Sequence, residues 1–244
     1  MTTATADGSA LASPLREALG DGFGRLAPAV RAHFDQTSGT RRYRGVLDRA
    51  WIARGVRGWL ARPVLWLCRR AGMFLADAGA GVPFWLTQTA ADGGGRCVVR
   101  WERVLTFPHA VRRFAGAFAF DPQRGTVLEW LGAGRRLETE LTCRAEAGAL
   151  HVTSGRQWLR VTGLCVRVPG LLAGRARLRE WQRSDGTLGT SLTVSNPLLG
   201  DVLGWEGRFE EAPTAAAGAD GAGNARSTGC GPPDVAGWSP GGVP

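Results

Sequence analysis

The sequence predicts a mainly β protein. It would form one antiparallel, strongly curled sheet or half-barrel of about nine or ten strands, with short helices at its N-terminal side and one helix near 62–71. Three observations predict this. From Val82 onward, apolar and polar residues alternate in run after run. Short turn signals separate the runs: ADGGG at 91–95, DPQRG at 121–125, EAG at 146–148, SDG at 184–186 and NPLLG at 196–200. Helical spacing is confined to the first third of the chain.

In order, residues 1–13 are small and polar and are expected to be a disordered N-terminus. Ser13 before Pro14 reads as an N-cap with proline at the first helical position. Leu15, Ala18, Leu19, Phe23 and Leu26 follow it, and a second helix starts at Pro28 with Val30 and Phe34 on one side. Tyr43–Ile52 is the first strand. Within Arg57–Ala71, the residues Trp59, Leu60, Val64, Leu67 and Cys68 keep helical spacing, which predicts a helix from Arg62 to Ala71 laid on the sheet. The arginines beside Trp59 and Trp66 give that helix a second reading, as one lying on a membrane surface.

Ten further strands are expected: Pro83–Thr89, Cys97–Phe107, Arg113–Phe120, Thr126–Leu131, Arg136–Ala145, Ala149–Ser154, Gln157–Val168, Arg175–Arg183, Thr187–Asn196 and Val202–Glu210. Successive short connections imply hairpins and therefore a meander, and a sheet this wide tends to curl or close. Residues 14–211 thus read as a single β-rich domain, and the Ala/Gly/Pro-rich stretch at 212–244 as a disordered tail.

Composition excludes several chemistries. All 30 basic residues are arginine, so a Schiff-base lysine and a P-loop lysine are both excluded. His33, His109 and His151 are isolated, and no GxSxG elbow, HExxH motif or acidic metal cluster is present, so no metal or cofactor is implied. The five cysteines are far apart with no CxxC pair, which fits a reducing, cytoplasmic compartment. The start of the chain lacks the basic and apolar runs of a signal peptide. The net charge of +9 permits an anionic partner, but the arginines are spread from Arg16 to Arg226 and no nucleic-acid motif accompanies them.

The candidate site residues are polar groups on apolar strand faces. On Cys97–Phe107, Arg103 shares a face with Cys97, Val99, Trp101, Leu105 and Phe107, and a buried guanidinium requires a partner. Glu129 lies with Val127 and Leu131, and Gln157 with Leu159 and Val161. Glu180 is opposite the face of Arg175, Arg177 and Arg179, and Leu192 and Val194 lead to Asn196. A curled sheet would gather these groups on its concave side. They could be an Arg–Glu pair that fixes strand register, or the convergent polar groups of an apolar pocket.

The ordered succession of YRGVLDRAW, ERVLTFP at 102–108, SGRQ at 154–157, EW at 180–181 and NPLLGDVLGWEG at 196–207 resembles a bacterial family, the domain of unknown function numbered 4166. The resemblance covers about Leu19 to Glu210; Trp205 departs from it where tyrosine is expected. It implies a single domain, in some members beside a dehydrogenase-like or a membrane domain, so that such a partner would here be a separate protein. It assigns no catalytic residue. The leading expectation is a non-catalytic module that binds a small hydrophobic or amphipathic molecule in the concave face. The alternatives are an enzyme using Glu129 and Glu180, and an arginine-rich surface for an anionic partner.

Overall fold

The computed structural model describes residues 11–70, 77–132, 134–161 and 164–213. The expected terminal disorder concerns segments that lie almost wholly outside these residues. Three short helical elements come first: α1 (Pro14–Leu19), a 3-10 turn at Gly20–Arg25, and α2 (Pro28–Phe34). Ser13 caps α1, its hydroxyl accepting the Arg16 N–H, and proline opens both helices as their sequence implies.

β1 (Gly39–Ile52) leads into α3 (Gly55–Arg70). Then follow β2 (Gly79–Asp92), β3 (Cys97–Phe107), β4 (Ala110–Asp121), β5 (Thr126–Leu131), β6 (Leu137–Glu146) and β7 (Ala149–Val161). The short β8 (Leu164–Arg167), β9 (Arg175–Gln182), β10 (Leu188–Asn196) and β11 (Gly200–Glu211) complete the chain.

The sheet is not the expected open half-barrel. β1 pairs with both β2 and β11, and β6 pairs with β7, so ten antiparallel strands close on themselves and β8 is an eleventh appended to β7. Closure leaves no long edge unpaired, which is how barrels escape edge-to-edge association. The β6–β7 hairpin turns through Ala147 and Gly148, both at positive φ, as a two-residue turn between twisted strands requires. The Gly148 carbonyl accepts the Ala27 N–H at 2.8 Å and so ties the N-terminal helices to this end of the barrel. Leu15, Phe23, Leu26 and Val30 enter the barrel core, and the helices form a plug.

Two segments were misplaced by the sequence pattern. Ala149–Ser154 and Gln157–Val168 are not two strands with a turn between them: β7 runs straight through, and Leu164–Arg167 turns back on it. Thr139 pairs with Gln157 and Leu141 with Ser154, so β7 carries one extra residue at Gly155–Arg156. This bulge turns both Ser154 and Gln157 inward, three residues apart, where an unbroken strand would oppose them.

Helix α3 also begins earlier, with Pro63 inside it at the cost of one backbone hydrogen bond. Its buried side is narrow, and the close approach at Gly58 is to the connection from β1. Gly58, Ala61 and Leu65 are buried, and a Cβ at Gly58 would run into the Ala53 carbonyl. Trp59 and Leu60, expected against the sheet, face outward, as does Trp66, while Val64, Leu67 and Cys68 have side chains outside the described residues.

Candidate functional site

A cavity of about 140 Å³ lies inside the barrel, between the plug and the loop that precedes β9. That is the size of an apolar cavity able to hold a benzene ring, and below the range of sites for drug-sized ligands. Leu15, His33 and Phe34 close it at the plug, and strands β2 to β7 and β9 to β11 supply its walls. Val127, Leu131, Leu141, Val152, Leu178 and Leu192 make most of the wall apolar.

Four of the five predicted polar residues line this cavity: Arg103, Glu129, Gln157 and Glu180. Asn196 does not. Its carbonyl accepts the N–H groups of Leu198 and Leu199, and its amide donates to the Leu171 and Ala173 carbonyls, so it fastens two loops together at the barrel end. Gln157 is largely committed as well. Its amide donates to the Gly174 carbonyl, while Ser154 Oγ accepts the Ala176 N–H at 2.8 Å. Together they hold the chain where β8 ends and β9 begins.

Arg103 and Glu180 face each other loosely. Arg103 Nη2 is 3.6 Å from Glu180 Oε1, and Thr190 donates to the same oxygen at 3.4 Å. Trp101, Phe114 and Trp205 surround the guanidinium, their ring centroids 5.6–5.8 Å away, so cation–π attraction supports the charge that hydrogen bonds leave partly unmet. On the other side of Glu180, His33 Nε2 lies 3.6 Å from Oε2 and 3.4 Å from the Gln88 amide nitrogen. Phe34, Tyr43 and Phe209 pack around the imidazole edge-on.

The electrostatics follow from enclosure. Burial lifts both Glu180 and Glu129 to about 7, against the opposing pull of Arg103 on each. Burial and then the Arg103 charge depress His33 to about 3, so the ring is neutral and its approach to Glu180 is not an ion pair at neutral pH. One guanidinium thus serves two carboxyl groups, Glu180 fully buried and Glu129 half-buried, and at neutral pH it can offset the charge of one. Burial pushes the Cys143 thiol, also on the cavity wall, up to about 12, which removes it as a nucleophile.

Five buried polar atoms on the cavity wall have no hydrogen-bond partner among the described residues: His33 Nδ1, Arg103 Nε, Thr139 Oγ1, Glu180 Oε2 and Trp205 Nε1. Buried polar atoms are nearly always satisfied, so this concentration singles out the cavity.

The family model for a domain of unknown function, DUF4166, matches residues 26–209, from the end of the 3-10 turn to the last strand of the barrel. The chain belongs to the DUF4166 family. The chain is similar to the uncharacterized protein YndH of Bacillus subtilis (strain 168), at 26% identity over 189 residues, 76% of this chain and 91% of that protein.

In this DUF4166 protein, sequence reading missed His33, Gln88, Thr139 and Trp205. A signal for His33 was present: Val30, His33 and Phe34 are spaced at i, i+3 and i+4, one face of a helix. Gln88 and Thr139 fall in phase with apolar neighbours on their strands, the same signal that marks Arg103 and Glu129. No helix among the described residues is long and apolar enough to cross a membrane.

Proposed function

We propose that the barrel binds a small amphipathic molecule in its interior. Arg103, Glu180 and His33 would take the polar group, and the apolar wall between β5 and β10 would take the body. The observation that supports this reading is the set of unpartnered buried polar atoms around an otherwise apolar cavity. A purely structural Arg–Glu pair would be expected to close at hydrogen-bond distance, and here it stands at 3.6 Å. The cavity volume limits the occupant to about a single ring with a short polar substituent.

The test is native mass spectrometry of the purified protein, followed by thermal unfolding with millimolar benzoate, benzyl alcohol and toluene. A bound small molecule, or a rise in melting temperature larger for benzoate or benzyl alcohol than for toluene and lost in Arg103→Met, is the expected result. A clean mass together with no response to any of the three probes would overturn the reading.

A second reading has its own support. Glu129 and Glu180 border one cavity, and both are raised into the neutral range, where a carboxyl group can donate or accept a proton. Acid–base catalysis on the bound molecule would give a pH–rate profile whose acidic limb moves in Glu180→Gln. Unchanged turnover in both Glu129→Gln and Glu180→Gln would eliminate it.

A further inference from the structure

The barrel has two dissimilar ends. The helices plug the end where β6 turns into β7. At the opposite end, the strands turn through the β3–β4 and β10–β11 connections, β8 and α3. Every large hydrophobic residue that is exposed among the described residues belongs to this opposite end. Helix α3 contributes Trp59, Leu60 and Trp66, which are 67%, 50% and 50% exposed. The loop before β9 contributes Leu171 and Leu172, and the β10–β11 turn contributes Leu198, at 61%, 68% and 66%. Leu164 and Val166 on β8 and Val111 at the start of β4 are exposed at the same end.

This patch is held rather than floppy. Asn196 bonds to Leu171 and Ala173 on one loop and to Leu198 and Leu199 on the other, which fixes the three exposed leucines relative to one another. Beside α3, a groove of about 530 Å³ runs between the helix and the barrel end, lined by Ile52, Trp59, Leu65, Trp66, Arg54 and Arg62. Large apolar residues exposed together at one end mark an interaction site.

Charge says which kind. The stretch 49–76, which supplies α3, holds six arginines and no Asp or Glu, and Arg167 and Arg175 flank the loop before β9. Arg156 and Arg160 are taken by Glu140 and Glu138. Arg54, Arg62, Arg70, Arg167 and Arg175 are exposed and make no ion pair among the described residues. Arg70 lies over the Trp66 ring at 4.6 Å, so cation and aromatic surface are presented together.

We propose that this end of the barrel docks on an anionic lipid surface. Tryptophans sit at the headgroup level because one edge of the ring is apolar and the other polar, and the arginines supply the attraction to anionic lipid. Leucines at loop tips enter the acyl boundary without any segment spanning the bilayer. A second copy of this chain would bring the same unpaired arginines face to face, and like charges oppose that contact. The proposal rests on surface residues and is independent of the interior cavity.

Vesicle flotation tests it. The full chain should float with phosphatidylcholine vesicles containing about a quarter phosphatidylglycerol, remain behind with phosphatidylcholine alone, and be released by molar salt. Combined Trp59→Ser, Trp66→Ser, Leu171→Ser and Leu172→Ser should weaken binding by at least about tenfold with the melting temperature kept. Arg54→Glu, Arg62→Glu and Arg70→Glu together should weaken it similarly, which keeps the test open if the first variant misfolds. No flotation with anionic vesicles, or flotation unaffected by a folded variant of either kind, would overturn the proposal. So would a concentration-dependent dimer that the same substitutions abolish in a protein that never floats.

Discussion

The two sides of the barrel interior are filled by different rules. Around β1, β2 and β11, Tyr43, Leu47, Phe84, Leu105 and Phe209 interlock, each no more than 3% exposed, and Phe209 contacts Tyr43, Phe84 and His33 ring to ring. Across the lumen, from β5 to β9, the side chains are of similar apolar character but border a cavity, and the polar groups Arg103, Glu129 and Glu180 point into it. Both sides belong to the same closed sheet. A barrel of ten strands encloses more cross-section than one layer of side chains fills, and here the surplus is collected on one side. The packed side therefore carries stability, and the open side carries whatever the interior does.

The sharpest way to break this contrast is to truncate one ring on each side. Phe209→Ala should cost about 3–5 kcal/mol, because close-packed neighbours cannot collapse into the space it leaves. Phe118→Ala, at a partly buried residue already bordering the cavity, should cost roughly half as much. Urea unfolding measures both. Equal losses would mean that the two sides are packed alike.

Proton linkage gives the next effect in size. A carboxyl group raised from its ordinary 4.5 to about 7 in the folded state stabilises the fold below 4.5 and loses that contribution as pH rises to 7. For Glu180 this is on the order of 3 kcal/mol. His33 runs the other way: held neutral down to about 3, it contributes above 6.5 and loses its contribution as pH falls. With Glu129 shifted like Glu180, the cavity groups should give stability a maximum near pH 4.5 and a decline toward pH 7. Glu180→Gln should flatten that decline. A decline of equal slope in the variant would show that Glu180 is an ordinary carboxylate and that the open side is not as dry as its lining implies.

How much of this was legible in the sequence varies by element. Period-two counting placed Arg103, Glu129 and Glu180 on inward faces, because strand alternation is a local property. Closure was not legible: β1 meets β11 through Leu47 and Gly207, and no local pattern fixes a pairing over such a separation. The inward turn of Ser154 with Gln157 depends on a bulge opposite Glu140, which reverses the alternation for the rest of the strand. On helix α3, Trp59 and Leu60 face outward because size was taken as the sign of burial, whereas Gly58, Ala61 and Leu65 are the buried residues. The acid-free stretch at 49–76 stood in the sequence, but its arginines looked dispersed until the topology set Arg54, Arg62 and Arg70 at the same end as Arg167 and Arg175.

The smallest effect is the most direct probe of the empty space. Ala176 lines the cavity on β9, beside Val194 of β10, and Leu there adds volume where about 140 Å³ is open. Ala176→Leu should change stability by about 1 kcal/mol or less, while abolishing any response to benzoate. Ala50 sits in the packed core on β1, opposite Trp205. Ala50→Leu should cost about 1–3 kcal/mol, since an overfilled core must displace its neighbours. The two substitutions insert the same atoms into the same sheet, so the difference between their costs measures the asymmetry itself. A cost at Ala176 as large as that at Ala50 would mean that the lumen closes in solution, and would leave the unpartnered polar atoms to one another.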